Sequence, residues 1–96
     1  MSDEQTVEFE DDIDIEVSDQ IADLVEYLVV QLVDDPDEVT LDVIDSNDAS
    51  RIEVSVASDD IAKVIGRHGR TIKSIRTLAR ALAARLETSV EVEVLD

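Results

Sequence analysis

The only two glycines of this 96-residue chain stand three residues apart, at positions 66 and 69. Apolar residues at helical spacing lie on both sides of them, from Ile61 to Ile65 and from Ile72 to Leu86. Glycine ends helices readily, because it has no Cβ and adopts positive φ without a steric cost. The sequence therefore predicts a short helix, a sharp four-residue turn and a longer helix.

Helical and alternating patterns elsewhere complete the order of elements. A helix is predicted from Asp19 to a point before Pro36, since the residue preceding a proline is disfavoured in helical conformation. Three strands are predicted from the alternation of apolar with polar residues, the first two being joined by a polar turn. The apolar strand residues are Val39, Leu41 and Val43, then Ile52, Val54 and Val56, and finally Val90, Val92 and Val94.

The resulting order, α-β-β-α-α-β, predicts an α+β fold. The first two strands form an antiparallel hairpin, and the helical crossover makes the second and third strands parallel. Each strand alternates, so only one face of the sheet is apolar and the helices must cover that face. We expect a three-stranded mixed sheet covered on one face by three helices.

The N-terminal segment differs in composition from the rest of the chain. Residues 1–18 contain eight acidic residues and no Lys or Arg, which predicts a disordered tail followed by a folded domain at 19–96. Ile13, Ile15 and Val17 alternate with acidic residues. This is also a strand pattern, and pairing with a sheet edge or a partner is the alternative.

The charge of the chain is unevenly distributed. A formal net charge of −17 opposes binding to nucleic acid. However, seven of the eight Lys and Arg residues lie within residues 61–86, where there is no Asp or Glu. The acidic remainder is equally typical of a protein that needs only to stay soluble. The basic window predicts one face that attracts phosphate.

The two glycines lie within this basic window. They allow a sugar-phosphate chain to approach the backbone closely, and the helix that follows offers unpaired N–H groups and the positive end of its dipole. The residues predicted to bind the sugar-phosphate backbone are Gly66, Arg67, His68, Gly69, Arg70 and Lys73, with Lys63 and Arg76 beside them.

The bases need a different kind of surface. Phe9 and Tyr27 are the only aromatic residues, which disfavours the folds that stack bases on aromatic side chains. We expect aliphatic side chains to hold the bases instead. The candidates are Val64 and Ile65, together with Val56, Ile61 and Ile72. A place in the core is the alternative for these residues, and it is favoured for Ile61 and Ile72.

The segment Val64-Ile65-Gly66-Arg67-His68-Gly69-Arg70-Thr71-Ile72 resembles the KH signature, whose GxxG loop holds the backbone of about four nucleotides. The order of elements resembles the type II KH arrangement of bacteria. Over residues 19–96 the chain is similar to the KhpA family of short RNA-binding proteins. This resemblance implies single-stranded RNA binding, a homodimer, and a heteromer with a larger KH protein of the Jag (KhpB) type. It also implies a role as an RNA chaperone or post-transcriptional regulator connected with cell shape and cell wall organisation.

No catalytic residue, metal or cofactor is predicted. His68 has no second His, Cys or nearby acid in the sequence to orient it as a catalyst. The acidic cluster at 34–38 lacks the central glycine of a calcium loop. There is no Cys, no apolar stretch of membrane-spanning length and no basic targeting segment, and we expect a cytoplasmic protein without membrane contact.

The first helix favours a rival function. Val29, Val30 and Val33 extend its apolar face beyond the main stripe, which is typical either of a helix that contacts another subunit or of a helix end that packs against the following loop. In this alternative the fold is a protein-interaction module for dimerisation or partner docking, and the acidic surface keeps RNA affinity low.

Overall fold

A computed structural model describes residues 17–47 and 49–96. The helices and strands are α1 (Val17–Val30), β1 (Thr40–Ser46), β2 (Ala49–Ser55), α2 (Ile61–Ile65), α3 (Arg70–Arg85) and β3 (Ser89–Val94). Short 3-10 turns lie at Pro36–Glu38, Ser58–Asp60 and Arg67–Gly69. The predicted order of elements, α-β-β-α-α-β, is confirmed.

The three strands form one mixed sheet in the order β1-β2-β3. β1 and β2 are antiparallel, with Ser46 opposite Ala49 across a two-residue turn. β2 and β3 are parallel, with Ala49 opposite Ser89. The helices α2 and α3 form the crossover between the parallel strands, as the pattern of elements predicted.

The core lies between one face of the sheet and the helices. Ile52, Val54, Val90 and Val92 point into it, whereas Glu91 in the alternate position is exposed. The helices bury one stripe each, as predicted for a sheet with a single apolar face. Their buried apolar residues are Ile21, Val25 and Val29 of α1, Val64 of α2, and Ile72, Ile75, Ala79 and Ala83 of α3.

The helix α1 begins two residues earlier than predicted and ends before Pro36, as predicted. The helix begins at Val17, so this residue is not part of the alternative edge strand. The other two residues of that pattern, Ile13 and Ile15, lie outside the described residues. It ends at Val30, well before Pro36. A turn follows, in which the Leu32 N–H donates to the Val29 carbonyl at 2.9 Å. The early end leaves residues 31–35 free to fold across to the start of α2.

The apolar surface of α1 also differs from the prediction. Val29 is fully buried in the core, and Val30 and Val33 are half-buried. The large apolar residues that the two long helices expose are Tyr27, at 63%, and Leu78, at 49%, besides Val17 at the first position of α1. Across the described part of the chain, no helix has the length and apolar character needed to span a membrane.

Candidate nucleic-acid interface

The turn between α2 and α3 is closed by its own backbone. The Gly66 N–H donates to the Ala62 carbonyl at 2.9 Å and ends α2. The Gly69 N–H then donates to the Gly66 carbonyl at 3.0 Å, and the Arg70 N–H donates to the Arg67 carbonyl. These bonds fold residues 66–69 into a single compact turn from which α3 starts directly.

The two glycines of the turn serve different purposes. Both have positive φ, 81° at Gly66 and 72° at Gly69. A Cβ on Gly66 would lie 2.8 Å from the backbone nitrogen of Thr71 and would overlap the Thr71 side chain. A Cβ on Gly69 would have no neighbour within 4 Å. Gly66 is therefore required by packing inside the protein, whereas Gly69 leaves open space at the surface.

His68 lies between these glycines with φ 58° and ψ 26°, in the left-handed region. This conformation costs a residue with a side chain roughly 1–2 kcal/mol. Three of the four turn residues thus have positive φ. Within the described residues, no hydrogen-bond acceptor lies against the backbone N–H of Arg67 or His68. The turn presents two unused backbone donors to solvent, which is how many proteins bind phosphate oxygens.

The side chains around these donors are basic and exposed. Arg67, His68, Arg70 and Lys73, here called the loop cluster, are all exposed. None of them forms an ion pair with another residue of 17–47 or 49–96. The loop cluster is therefore available to an anion from outside the chain.

The other predicted basic contacts are already engaged. Lys63 Nζ lies 3.1 Å from the Asp34 carboxylate and 3.3 Å from that of Asp60. Arg76 Nε donates to the Val92 carbonyl of β3 at 2.9 Å. The structure therefore places Lys63 and Arg76 in contacts within the protein and does not bring them into the loop cluster.

The aliphatic candidates divide in the same way. Val64 is fully buried and Ile72 is 4% exposed, so both belong to the core. The prediction that Val64 contacts bases does not fit this position. Ile65, Ile61 and Val56 are half-buried. These three keep apolar surface that can face a ligand next to the turn.

Asp60 has a role that the sequence analysis missed. Ser58, Asp59 and Asp60 are residue types that often cap helices, and they directly precede α2, but none of them makes a side-chain capping bond. The Asp60 carboxylate is instead buried and accepts the N–H groups of Asp34 and Asp35, both at 3.1 Å. It fastens the segment after α1 to the start of α2, the helix that leads into the glycine turn.

These contacts also change the acidity of Asp60. The hydrogen bond from the Asp34 N–H is the largest influence and lowers the pKa of the carboxyl below its ordinary value, with help from the Asp35 N–H and Lys63 and against the effect of burial. The same pairing, first with Asp34 and then with Asp60, raises the pKa of Lys63. Ser58, Asp59 and Asp60 are adjacent polar residues, and nothing in the sequence indicates which of their side chains is buried.

No metal centre is found in the described part of the chain. It contains no group of three or more His, Asp or Glu side chains placed to hold an ion. Residues 61–73 combine an exposed turn that has two unused backbone donors with unpaired cationic side chains and a small half-buried aliphatic surface.

Two comparisons by sequence agree on the family. A model of the family described as "KhpA/KhpB, KH domain" matches residues 22–94. The RNA-binding protein KhpA of Borreliella burgdorferi is 43% identical over 74 residues, which cover 77% of this chain and 90% of that protein. The RNA-binding protein KhpA of Mycobacterium tuberculosis is 43% identical over 76 residues, covering 79% and 91%.

The comparison of structures finds the same fold within a larger protein. Era in complex with MgGDPNP and a segment of 16S ribosomal RNA matches with a TM-score of 0.66 and 21% identity over 96% of this chain. Aquifex aeolicus Era bound to GDP.AlF4- matches with a TM-score of 0.63 over 84% of this chain. This chain spans only 35% and 31% of those proteins, so the likeness shows the shared fold alone.

The family model covers most of the chain, and the KhpA relatives are similar over nearly their whole length. The chain belongs to the KhpA/KhpB family of KH-domain proteins.

Proposed function

We propose that this protein binds single-stranded RNA through the turn at residues 66–69 and the first turn of α3, without catalysing a reaction. The observation that carries the proposal is the coincidence of two unused backbone donors, on Arg67 and His68, with the exposed loop cluster. Backbone N–H groups and cationic side chains together neutralise and orient phosphates. The relatives support this proposal, because they are named RNA-binding proteins.

The surroundings of the turn favour a single strand over a duplex. The unpaired cations at the turn itself lie within residues 67–73, so few phosphates can be neutralised there at once. Three exposed acidic residues lie outside α2 and α3: Asp34, Glu38 and Asp59. They would repel the second strand of a duplex. The half-buried Ile61 and Ile65 offer an apolar surface to bases, and only unpaired bases can reach it.

The direct test is a charge reversal in the turn. In the variant Arg67→Asp/His68→Asp, two carboxylates stand where phosphates must lie, and we expect RNA affinity to fall at least about tenfold in an anisotropy titration with a labelled single-stranded RNA. Both side chains are exposed, and the urea midpoint should change little.

The matched control has the same change of formal charge at the other end of α3. Ala84→Asp/Arg85→Asp lies on exposed positions and should reduce affinity by less than about threefold. Equal losses in the two variants would mean that net charge, and not the turn, determines binding. Wild-type affinity in the turn variant would refute the proposed site.

The second proposal concerns partners. Tyr27 and Leu78 expose large apolar surfaces on the two long helices, and exposed apolar surface of this kind favours contact with another protein. We propose that this surface forms a homodimer and a heteromer with a Jag (KhpB)-type protein. We also propose that the protein is a cytoplasmic regulator of RNA with a chaperone role. Light scattering of the wild type and of Tyr27→Glu/Leu78→Glu tests it. A monomer at all concentrations, with no binding to the larger KH protein, would refute it.

A further inference from the structure

The exposed side of α3 carries only positive charge. Arg70, Lys73, Arg80 and Arg85, here called the basic strip, are exposed along the helix, and α3 contains no Asp or Glu. Arg80 pairs with Glu91 at 2.9 Å, but both side chains are more than half exposed, so this pair is weak and exchangeable. The other three residues have no acidic partner in the described part of the chain. The strip connects the C-terminal end of α3 with the turn at 66–69.

The remaining basic side chains already have hydrogen-bond or ion-pair partners within the described part of the protein. Arg51 lies 3.4 Å from Glu53, and Lys63 contacts Asp34 and Asp60. Arg76 donates to the backbone of β3. Within residues 17–47 and 49–96, the basic strip and Arg67 are therefore the place to which a polyanion is drawn, while the rest of the surface repels it.

This chain contains such a polyanion. Residues 1–16 include eight Asp and Glu residues and no Lys or Arg. They join α1 at Val17, and the Ser18 hydroxyl donates to Asp45 at 3.2 Å. Val17 and Ser18 line one cavity together with Thr88, which lies three residues beyond the end of α3. The acidic segment is therefore attached beside the Arg85 end of the basic strip.

The length of the segment matches the length of the strip. α3 has 16 residues and is about 24 Å long at 1.5 Å per residue. Sixteen residues can extend to at most about 55 Å, and a flexible chain of that length has an r.m.s. end-to-end distance of about 20–24 Å. A tether whose r.m.s. length equals the span gives the highest effective concentration at the far end.

We propose that the acidic segment 1–16 binds the basic strip of α3 and competes there with RNA. The contact itself follows from charge, attachment point and length. The competition rests on the proposed RNA-binding function, because RNA must use Arg70 and Lys73 of the same strip. The segment tunes affinity according to ionic strength: it occupies the strip at low salt and releases it as salt screens the ion pairs.

The expected size of the effect is modest. A short tether supplies an effective concentration in the millimolar range, and a few exposed ion pairs bind only weakly. Inhibition at low salt should therefore be roughly fivefold. At about 0.4 M salt the Debye length is only about 5 Å, so the charges of the segment and of the basic strip are largely screened from each other. The inhibition should then disappear.

The contact can be measured without RNA. The chain has no Cys, so Thr6→Cys carries a single spin label in the full-length protein. We expect the label to broaden the amide NMR signals of α3 more strongly than those of β1, and the broadening to be lost at high salt. It should also be lost when the six acidic residues Glu8, Glu10, Asp11, Asp12, Asp14 and Glu16 are changed to the matching amides. Broadening that is absent at low salt, or that survives the amide changes, overturns the contact.

The competition is measured by RNA affinity. The amide variant of the segment is compared with a full-length control in which six exposed acidic residues elsewhere are changed to amides: Asp23, Glu26, Asp37, Glu38, Asp42 and Asp96. Both variants change the net charge equally. The segment variant should gain roughly fivefold more affinity than the control for a labelled oligouridylate at low salt, and no more than the control at high salt. Equal gains at low salt overturn the competition. If the turn variant and its control both kept wild-type RNA affinity, the proposed function would be refuted. The spin-label result does not depend on that function.

Discussion

The two ends of α3 have similar backbones and different chemistry. At its N-terminal end, Gly66, His68 and Gly69 have positive φ. At its C-terminal end, Glu87 has positive φ as well, at 63°. There the N–H groups of Glu87 and Thr88 donate to the carbonyls of Ala84 and Ala83, at 3.1 and 2.9 Å, which is the Schellman arrangement. The C-terminal turn uses its donors internally, whereas the N-terminal turn leaves two of them unused.

A carboxylate supports each end of the molecule, and these two also differ. Asp60, at the start of the helix that leads into the glycine turn, is buried and accepts two backbone N–H groups. Asp45, near the C-terminal end of α3, is exposed and accepts the hydroxyls of Ser18 and Ser50. Left-handed residues and bracing carboxylates are thus general structural features. Only the N-terminal end combines unused backbone donors with unpaired cationic side chains, and the proposed RNA site rests on that combination.

The largest expected effect distinguishes the two glycines. Gly66→Ala places a Cβ against the Thr71 backbone and should destabilise the fold by about 3 kcal/mol or more. Gly69→Ala adds only the left-handed strain, about 1 kcal/mol. Urea unfolding of both variants measures the difference. Similar stabilities would show that the packing of Gly66 against Thr71 does not limit the turn.

The next effect compares the two carboxylates. Asp60→Asn replaces one acceptor oxygen with an amide donor facing a backbone N–H, and should lower the urea midpoint more than Asp45→Asn does, because Asp45 can exchange its partners for water. A larger loss at Asp45 would contradict the bracing role assigned to Asp60.

The Asp60 effect should depend on pH in a defined direction. The pKa of Asp60 is lowered in the folded protein, first by the Asp34 N–H, from an ordinary value of 3.8. The ionised carboxylate therefore stabilises the fold above that value, and this contribution is lost as pH falls through the folded-state pKa. The stability difference between wild type and Asp60→Asn should be constant from about pH 5 to 7 and shrink below about pH 4. A difference that grows on acidification would contradict the assignment.

The smallest effect applies one substitution at both ends. Glu87→Gly and His68→Gly each relieve a left-handed residue and should stabilise the protein by up to about 1 kcal/mol. Glu87→Gln separates the backbone effect from the removal of a negative charge at a helix C-terminus. Only His68→Gly should weaken RNA binding. Weaker RNA binding in Glu87→Gly would mean that the two ends do not differ in function.

The turn itself was largely predictable from the sequence. Two glycines between helical periodicities predicted where α2 ends, and the structure places that end at Ile65 followed by Gly66. The acid-free window at 61–86 predicted a basic helix, and α3 exposes that charge. These are local properties, since helix ends depend on residues within one turn and charge depends on composition.

Other outcomes depended on contacts between distant residues. Asp60 and Asp34 are 26 positions apart, and only their approach in space engages Lys63 away from the candidate site. The lack of room for a Cβ on Gly66 depends on how closely Thr71, at the start of α3, approaches the turn.

The sequence alone determined the order of elements, the sheet alternation and the position of the GxxG turn, because each depends on periodicity or on the steric freedom of glycine. The tertiary structure alone decided which basic residues remain unpaired, which aliphatic residues are core and which glycine is indispensable. A side chain's availability to a ligand depends on what packs against it, and for this chain those neighbours come from α1, the segment after it and β3, which periodicity cannot identify.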